Sequence, residues 1–588
     1  MFDGAGLPEH FDAVVIGSGF GGSVMAHRLA EAGRSVCVLE RGQEHPPGSF
    51  PRAPHLLKES FWDPSAGLYG MYNVWSFRRV GALVSSGLGG GSLIYANVLL
   101  RKDERWFVRE DLASGGFEHW PLGRAELEPH YREVEGVLAP QLFPTAGAPY
   151  EQVEKVRAFR IAAERAAART PGATVERTPL AVTLFNDPAR PRPGEPIEEL
   201  VKNRYGVARR TCVLCGECVV GCNHGAKNTL DLTYLSRAER AGRPAVIRSR
   251  AEVRTIGPRR GGGYEVTYVV HDVERRRGAP FDTRTLEPVT VTCDRLVLAA
   301  GTFGSTYLLL RSAAAFAELA RAHVGTRFSG NGDLLTFALM SSRRVDERVE
   351  PWRVDPTRGP TITHALRRPD ALDTGASTGE RGFYLEDAGF PAELAWLAEG
   401  LRPLGWLARG WRFARRFLRK VLGGDLDTDL AEELSDLLGP MSLTSRALPL
   451  LGMGRDVPDG VLSLDPARGR LQLDWSVRRS GAYFDGVTEV AGEIARELGG
   501  ELVQNPIARL FDRAVTVHPL GGCPMGRSRH EGVVDSYGRV FGHPGFVIAD
   551  GSVLPGPVGP NPALTIAAIA DRAASALAGW RPGAAWPR

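Results

Sequence analysis

The sequence lacks any uninterrupted run of about 18 or more apolar residues, so we expect no membrane-spanning helix. It also lacks a basic segment ahead of an apolar run at its start, which argues against a cleaved signal. The net charge is only +4 over 588 residues, so overall charge indicates no nucleic-acid partner. These absences predict a cytoplasmic protein whose membrane contact, if it has one, is peripheral.

Internal repeats are missing as well, and the composition is that of an ordinary globular chain, with 43% hydrophobic and 24% charged residues. A disordered or fibrous protein is thereby excluded. The length allows a large core and two or more domains.

Cysteine is scarce outside one short segment, TCVLCGECVVGCNHGAKNT, which holds four of the seven cysteines. The four are Cys212, Cys215, Cys218 and Cys222. Gaps of two and three residues let successive thiolates point at one centre from a looped backbone, which is typical of an iron–sulfur cluster. A zinc site usually needs two cysteine pairs separated by a longer span. Zinc and an unmetallated loop remain the alternatives.

The ligand set of such a cluster stays open. In two-cluster ferredoxins a proline follows the fourth cysteine of this run, whereas Asn223 follows Cys222 here, and no second run exists. Three of the cysteines could hold a three-iron cluster, all four could hold a four-iron cluster, or the distant Cys523 could contribute.

Near the start, the pattern is that of a βαβ unit with a dinucleotide fingerprint. An apolar strand from Phe11 to Ile16 leads into G-x-G-x-x-G, a helical segment follows, and a second strand ends at Glu40. Glycines permit the tight turn and bring backbone N–H groups to a pyrophosphate, and the acid can accept the ribose hydroxyls. The expected contacts are Gly17, Gly19, Phe20, Gly22 and Glu40.

Further glycine-rich segments favour a flavin over a nicotinamide cofactor. A second glycine stretch begins at Gly87, the apolar run LVLAAG ends at Gly301, and VIADG carries Asp550 and Gly551. One nucleotide does not need so many backbone approaches in distant segments. A tightly held flavin does, because its ring and ribityl chain extend across the fold.

These segments together resemble the glucose-methanol-choline (GMC) oxidoreductase family, specifically its cholesterol-oxidase-like branch. The resemblance rests on VVIGSGFGGS, GLGGGSLIYANV, WPLGRAELEPHY, LAAGTFGSTYLLLRS, VGTRFSGNGD, GPTIT, VHPLGGCPMG and ADGSVLPGPVGPNPALTIAA, which follow one another in family order. It implies an α/β fold: a Rossmann-like FAD-binding domain assembled from discontinuous segments plus a sheet-based substrate-binding domain. On this basis we expect further flavin contacts at Gly90, Gly91, Ser92, Asn97, Val253, Gly301, Asp550, Gly551 and Pro562.

The resemblance also implies a reaction, the oxidation of a hydroxyl to a carbonyl with hydride transfer to the flavin. His518 matches the family histidine that helps to take the hydroxyl proton, and Asn561 matches the residue that completes the oxygen-binding pair. An imidazole titrates near neutral pH and a neutral amide can orient an alcohol, so the pairing is chemically sensible. Glu386 matches a cavity glutamate that steroid oxidases use to shift a double bond, its alternative being an ordinary loop carboxylate.

Two departures from the family pattern bear on cofactors and substrate. No histidine precedes the glycine stretch in GALVSSGLGGGS, so the FAD is expected to be non-covalent. The cysteine run is absent from the simple secreted steroid oxidases but is similar to one in the fatty-alcohol oxidases and in some sugar dehydrogenases. The substrate class is therefore open.

The motif order predicts five segments. They are 1–110, the first part of the FAD domain; 111–200, a substrate or cap segment; 201–330, the second FAD part with the cysteines; 331–504, the substrate domain; and 505–588, the C-terminal FAD part with the catalytic pair.

Within the substrate domain, Leu401 to Leu422 reads as an amphipathic basic helix with interleaved aromatic residues. Such a helix can lie on an anionic membrane surface or pack on its own domain with a solvated basic face.

The sequence thus favours an FAD-dependent oxidoreductase for a hydrophobic, sterol-like alcohol, with oxygen or an external acceptor taking the electrons and an iron–sulfur cluster as a possible relay. A long-chain or other alcohol is the alternative substrate. From a different class, the alternative is a non-catalytic, redox-sensing flavoprotein.

Overall fold

The structure is a computed structural model. It describes residues 9–113, 116–316, 319, 322–375, 380–392, 442–504, 513–582 and 584, together with five positions between 411 and 419. The predicted amphipathic helix, Leu401 to Leu422, lies outside the described residues except for those five positions.

A seven-stranded sheet forms one of two halves of the molecule. We call it the first half, although its strands come from both ends of the chain. Its core strands are rich in Val, Ile and Leu and are buried on both faces, which is the pattern of a parallel sheet covered by helices. In spatial order the strands are Val246–Arg248, Val36–Leu39, His10–Ile16, Val289–Leu298, Tyr264–Val270 and Ala251–Pro258, with Phe546–Ile548 pairing beside Val289–Leu298. The first four and Phe546–Ile548 run parallel, and the remaining two form an antiparallel arm.

Helices that follow the parallel strands hold this sheet together. Phe20–Glu31 packs against Ala563–Gly579, which also packs against Arg124–Leu138. Phe20–Glu31 also comes very close to the end of the strand Phe546–Ile548, because Gly21 has no side chain: a Cβ there would lie 1.4 Å from the carbonyl oxygen of Ala549. The first and last parts of the chain are thereby joined into one nucleotide-binding half.

A six-stranded antiparallel sheet forms the second half. In spatial order its strands are Thr174–Arg177, His364–Arg368, Phe383–Asp387, Leu448–Gly454, Leu334–Leu339 and Glu501–Gln504. One face packs on Glu154–Ala167 and Gly481–Glu497. Because side chains alternate along a strand, Phe383 and Leu385 join that core while Glu386 points to the opposite face.

Smaller elements connect the two halves. The three-stranded sheet consists of Ala514–Thr516, Val80–Ser85 and Tyr72–Ser76. Two-stranded ladders pair Trp62–Asp63 with Leu68–Tyr69, Val108–Glu110 with Phe117–His119, Gln141–Leu142 with Pro179–Leu180, Ser342–Val345 with Arg348–Pro351, and Val461–Asp465 with Arg470–Asp474.

The remaining helices and helical turns are Pro54–Ser60, Pro64–Ala66, Gly90–Leu93, Glu104–Trp106, Tyr150–Gln152, Cys218–Val220, Asp231–Leu235, Ser236–Ala238, Val273–Arg276, Thr283–Thr285, Gly301–Ser312, Ala371–Thr374, Ser442–Ser445, Val477–Ser480 and Gly551–Val553. Among the described residues, no helix is both long and apolar enough to cross a bilayer.

The predicted α/β class is confirmed. A Rossmann-like sheet is assembled from distant segments, and a second sheet stands beside it. The carboxyl ends of His10–Ile16, Val36–Leu39 and Val289–Leu298 meet at one edge, which is where open parallel sheets bind their ligands.

Candidate active site

A cavity of about 870 Å³ opens at that edge and extends to the six-stranded sheet. Gly17, Glu40 and Gly301 line it from the first half, while Ile362 and Leu451 line it from the second. The cavity is thus bounded by both sheets and has room for a cofactor and a substrate.

One side of the cavity, which we call the glycine wall, presents mostly backbone. It consists of Gly17, Gly19, Gly90, Gly91 and Gly301. Gly19 caps the helix Phe20–Glu31 without any side-chain hydrogen bond, and a Cβ built on Gly19 meets nothing in the protein. The first-turn N–H groups of a twelve-residue helix therefore face open space, which fits the pyrophosphate of FAD.

Glu40 lies at the end of the second strand, lines the cavity and is buried. Its carboxylate accepts hydrogen bonds from the Ser18 backbone N–H at 3.0 Å, the Ser18 hydroxyl at 2.7 Å and the Gly42 N–H at 2.9 Å. These bonds fix the acid against the glycine turn, as a ribose-binding acid requires.

Like Glu40, Asp550 lies just after a strand, Phe546–Ile548, and is fixed there by hydrogen bonds. It accepts hydrogen bonds from the Gly301 N–H at 2.9 Å, the Ser305 hydroxyl at 2.5 Å and the Ser552 N–H at 2.8 Å. Burial raises the pKa of its carboxyl, and these donors oppose the rise. Asp550 thus ties two strand ends together at the cavity, where Phe20, Gly551 and Pro562 also line the wall.

Four predicted cofactor contacts do not line the cavity. Gly22 serves close packing, since a Cβ there would lie 2.0 Å from the Gly17 carbonyl oxygen. Ser92 bridges Gly89 O and Leu230 N. Asn97 is buried, and its side-chain amide has no hydrogen-bond partner in the described part of the chain. Val253 packs against the core from Ala251–Pro258.

The opposite side, which we call the polar wall, carries titratable side chains. His518 follows the strand Ala514–Thr516 and lines the cavity together with Asp333. The His518 Nδ1 lies 2.7 Å from Asp333 Oδ1. The carboxylate also accepts hydrogen bonds from the backbone N–H groups of Val517 at 2.7 Å and His518 at 3.1 Å. Because the carboxylate can only accept, Nδ1 is the donor of this bond, which leaves Nε2 as the acceptor in the neutral imidazole.

Asn561 also lines the cavity, and Glu386 lies behind it. The Asn561 Nδ2 donates to Glu386 Oε2 at 3.4 Å. Glu386 is fully buried, and its other oxygen has no partner among the residues described. Burial raises the pKa of Glu386 well above its ordinary value, and nearby Asp387 and Asp333 add to this, while the bond from Asn561 opposes it. Burial therefore favours the protonated, neutral form of Glu386. The structure brings all three predicted catalytic residues together.

Sequence reasoning missed Asp333 as a site residue. The available signal was its position at the end of VGTRFSGNGD, one of the family-like segments. Its partner His518 is 185 residues away in the chain, so no local pattern could pair them.

The rim of the cavity is apolar and partly exposed. Phe61 and Val517 line the cavity and are each 43% exposed, and Leu335 and Val515 line it with similar exposure. Large apolar side chains that remain in water around a cavity typically mark a binding surface for an apolar ligand.

The cysteine run lies against the glycine wall. Lys227 Nζ donates to the carbonyl oxygens of Leu93 at 3.1 Å, Tyr95 at 3.0 Å and Cys218 at 2.8 Å, so one buried ammonium joins the two loops. Val219 and Val220, from the middle of the run, line the cavity itself. The sequence did not predict that these cysteines lie next to the glycine wall.

The thiols themselves are close neighbours. Burial raises the pKa of Cys212, and that of Cys215 to about 12, with the neighbouring thiols adding to both shifts. The Leu214 N–H donates to Cys212 Sγ at 3.4 Å. Within the described ranges, no group of three or more His, Cys, Asp or Glu side chains is placed to hold a metal ion. The iron–sulfur cluster is thus not confirmed.

Comparison with known proteins agrees with this geometry. The model of the GMC oxidoreductase C-terminal region matches residues 493–570, and a model of NAD(P)-binding Rossmann-like domains matches residues 15–53. A cholesterol oxidase of Mycobacterium tuberculosis (strain ATCC 25618 / H37Rv) is 31% identical over 97% of this chain and 91% of its own length. A cholesterol oxidase of Acinetobacter baumannii is 26% identical over 96% of this chain and 94% of its own.

Among solved structures, pyridoxine 4-oxidase from Mesorbium loti superposes with a TM-score of 0.56 at 18% identity, covering 96% of this chain and 98% of that one. It shares the fold. With the identity to the mycobacterial protein extending over nearly the whole sequence, the chain belongs to the GMC oxidoreductase family and is an FAD-dependent alcohol oxidoreductase.

Proposed function

We propose that this enzyme oxidises the hydroxyl of a hydrophobic, sterol-like alcohol to a carbonyl. The observation that carries the proposal is the apolar, partly exposed rim formed by Phe61, Leu335, Val515 and Val517 around the cavity that His518 and Asn561 line. A polar sugar would gain little from such a rim, whereas a sterol buries apolar area there. The similarity to two cholesterol oxidases points the same way.

In the proposed mechanism His518 is the base. Its Nδ1 is held by Asp333, so the unprotonated Nε2 takes the hydroxyl proton, and the Asp333 carboxylate stabilises the imidazolium that forms. Asn561 orients the alcohol oxygen with its amide. The chemistry that FAD supplies when bound is hydride acceptance. Oxygen or an external acceptor then removes the electrons.

Glu386 has a separate proposed role. In its carboxylate form Glu386 would take a proton from one carbon atom and return the same proton to another, as the shift of a steroid double bond requires, and its raised pKa makes that carboxylate a stronger base. Its bond to Asn561 keeps it beside the reacting centre.

We further propose that Cys212, Cys215, Cys218 and Cys222 hold an iron–sulfur cluster that relays electrons. The four thiolates would hold the cluster, which would supply one-electron transfer. Backbone N–H donation to Cys212 Sγ and the neighbouring ammonium of Lys227 would both favour bound thiolates. Purification without air, followed by iron and sulfide analysis and spin resonance, tests this. Stoichiometric zinc without iron would refute it.

The peripheral membrane contact and the cytoplasmic location stay predictions. Of the described positions in the basic segment, Trp411 is 72% and Leu418 is 54% exposed, which supports contact with an apolar surface. Flotation with anionic vesicles, compared with neutral ones, measures that contact.

The substrate proposal is tested by mixing the oxidised holoenzyme anaerobically with sterols, long-chain fatty alcohols and sugars. Bleaching of the flavin absorption by sterols is the expected result, followed by turnover with oxygen or a dye. Bleaching by fatty alcohols alone would favour the alternative substrate, and bleaching by sugars alone would overturn the apolar-substrate proposal. No bleaching by any alcohol would favour a non-catalytic flavoprotein.

A further inference from the structure

The two proposed catalytic side chains stand on separate loops. His518 follows the strand Ala514–Thr516, while Asn561 precedes the helix Ala563–Gly579. Between the two loops lies Ser329 to Asp333, with the sequence SGNGD, which we call the SGNGD turn.

One end of the SGNGD turn holds the histidine loop. Asp333 Oδ2 accepts hydrogen bonds from the Thr516 hydroxyl at 2.9 Å, the Val517 N–H at 2.7 Å and the His518 N–H at 3.1 Å. Its Oδ1 accepts the Nδ1 proton of His518 at 2.7 Å. A single carboxylate thus fixes both the backbone of the loop and the orientation of the imidazole ring.

The other end holds the asparagine loop. The Asn331 Oδ1 accepts hydrogen bonds from the N–H groups of Val558 at 2.9 Å and Gly559 at 3.1 Å. Its Nδ2 donates to the carbonyl oxygens of Gly559 at 3.3 Å and Pro560 at 3.2 Å. Asn331 is fully buried, and these four bonds use the whole hydrogen-bonding capacity of its amide on one loop.

The SGNGD turn is itself anchored to the six-stranded half. Asn331 and Gly332 both adopt left-handed backbone conformations, with φ of 55° and 69°. Asp456 accepts hydrogen bonds from the Ser329 hydroxyl at 2.5 Å and the Gly330 N–H at 3.0 Å. The Tyr483 hydroxyl donates to the Gly332 carbonyl at 2.8 Å. A backbone strained in this way persists because its surroundings hold it.

From this arrangement we propose that the SGNGD turn sets the relative position of His518 and Asn561, with Asp333 and Asn331 as positioning residues. The inference rests on the proposed function of the catalytic pair. Asp333 acts through the imidazole and Asn331 acts through the asparagine loop. Both residues should therefore affect the rate of alcohol oxidation far more than they affect substrate binding.

The first variant is Asp333→Asn. The new amide group has nearly the volume of the carboxylate, but its NH2 end would face N–H donors. It therefore no longer holds the His518 ring with the proton on Nδ1. In single-turnover flavin reduction without oxygen, we expect the limiting rate to fall about 100-fold or more and the apparent Kd for the alcohol to change less than about 3-fold. Flavin content should match that of Asp282→Asn, an exposed control that removes the same charge, whereas thermal unfolding should occur at a lower temperature in Asp333→Asn because its amide faces buried donors.

The second variant is Asn331→Asp. Asp tolerates the left-handed backbone and keeps an acceptor for Val558 and Gly559, but its second oxygen faces two carbonyl oxygens instead of donating to them. A similar split between rate and binding is expected, measured against the exposed control Asn186→Asp.

A double-mutant cycle separates positioning from general damage. If Asp333 acts through the imidazole, adding Asp333→Asn to His518→Gln should lower the rate by less than about 3-fold further, and Asn331→Asp should likewise add little to Asn561→Ala. Multiplicative effects in both cycles would overturn the proposal. So would a wild-type limiting rate in Asp333→Asn while His518→Gln is impaired.

Failure of the proposed function looks different, because His518→Gln would then keep its full rate. If Asp333→Asn does not fold, Thr516→Val removes one of the bonds to Asp333 at nearly constant volume. It should lower the limiting rate several-fold in the wild-type background and leave the His518→Gln background unchanged. An equal drop in both backgrounds would also refute positioning.

Discussion

The glycine wall and the polar wall of the cavity are built by different physical means. The glycine wall presents backbone N–H groups and strand ends, and each of its pieces is a short contiguous motif. The polar wall presents side chains whose partners are distant in sequence, such as Glu386 and Asn561, which are 175 residues apart. On this arrangement the proposed cofactor binding depends on local backbone shape, whereas the proposed catalytic chemistry depends on side chains that come from distant parts of the chain.

The largest effect should separate Gly19, in the glycine wall, from Gly21, which lies two residues further along the chain and packs against the protein. Gly21→Ala places a methyl group 1.4 Å from the Ala549 carbonyl oxygen, so it should cost about 3 kcal/mol or more and yield little folded protein. Gly19→Ala meets no protein atom and keeps an extended backbone, so it should fold but retain FAD at least about 10-fold less tightly. Circular dichroism and flavin titration measure both. Equal folding of the two variants would contradict the backbone explanation.

The next effect concerns the base of the polar wall. His518→Gln should lower kcat by about 10²- to 10⁴-fold while FAD stays bound, because the proton acceptor is lost and the glycine wall is untouched. Steady-state oxidation with flavin absorbance as the check tests this. The exposed His119→Gln serves as the control. Near-wild-type turnover of His518→Gln would remove the proposed base.

A smaller effect on oxidation is expected from Glu386, which lies behind the polar wall. Glu386→Gln changes the volume of the side chain little, so alcohol oxidation should stay within about 10-fold of wild type. With a steroid whose double bond can move, the unshifted ketone should accumulate, because the amide cannot carry the proton. Product analysis by chromatography distinguishes the two ketones, with the exposed Glu274→Gln as the control. Wild-type product ratios would leave Glu386 without this role.

The smallest effect on turnover should come from Asp456, which anchors the SGNGD turn. Burial raises its pKa to about 7, and the Ser329 hydroxyl opposes the shift. The folded state therefore binds a proton that the unfolded state releases, so the stability that this proton contributes is present below pH 4 and is lost as pH rises through about 7.

Asp456→Asn removes that titration. The free energy of unfolding of wild type minus that of the variant should decline by about 2 to 4 kcal/mol between pH 4 and pH 8. Denaturant unfolding at several pH values measures the difference. A constant difference across that range would show that Asp456 keeps an ordinary pKa in the folded protein.

Much of the glycine wall was predictable because the sequence patterns that indicate it are local. The strand, the glycine turn and Glu40 occupy one short segment, and the structure places Gly19 and Glu40 in the cavity as expected. Asn97 and Val253 were assigned by resemblance and do not line it. Their roles in binding FAD stay predictions, because side-chain direction at a single position does not follow from a motif.

The polar wall was predictable only in part. His518 and Asn561 stand in family-like motifs, but the position of Glu386 behind Asn561 depends on strand alternation and sheet order, which a one-residue shift in register would reverse. Asp333 and Asn331 were not recognised, since each acts on a loop roughly two hundred residues away.

By itself the sequence determined the fold class and the glycine-rich backbone of the nucleotide site, because these follow from short patterns of glycine spacing and apolar strands. The histidine and the asparagine were indicated only by the resemblance to the family. Only the tertiary structure decided which carboxylate holds the histidine, which acid lies behind the asparagine and which loop the cysteines touch. Hydrogen bonds act over about 3 Å in space and are indifferent to separation along the chain, so such pairings exist only once the two halves have packed together.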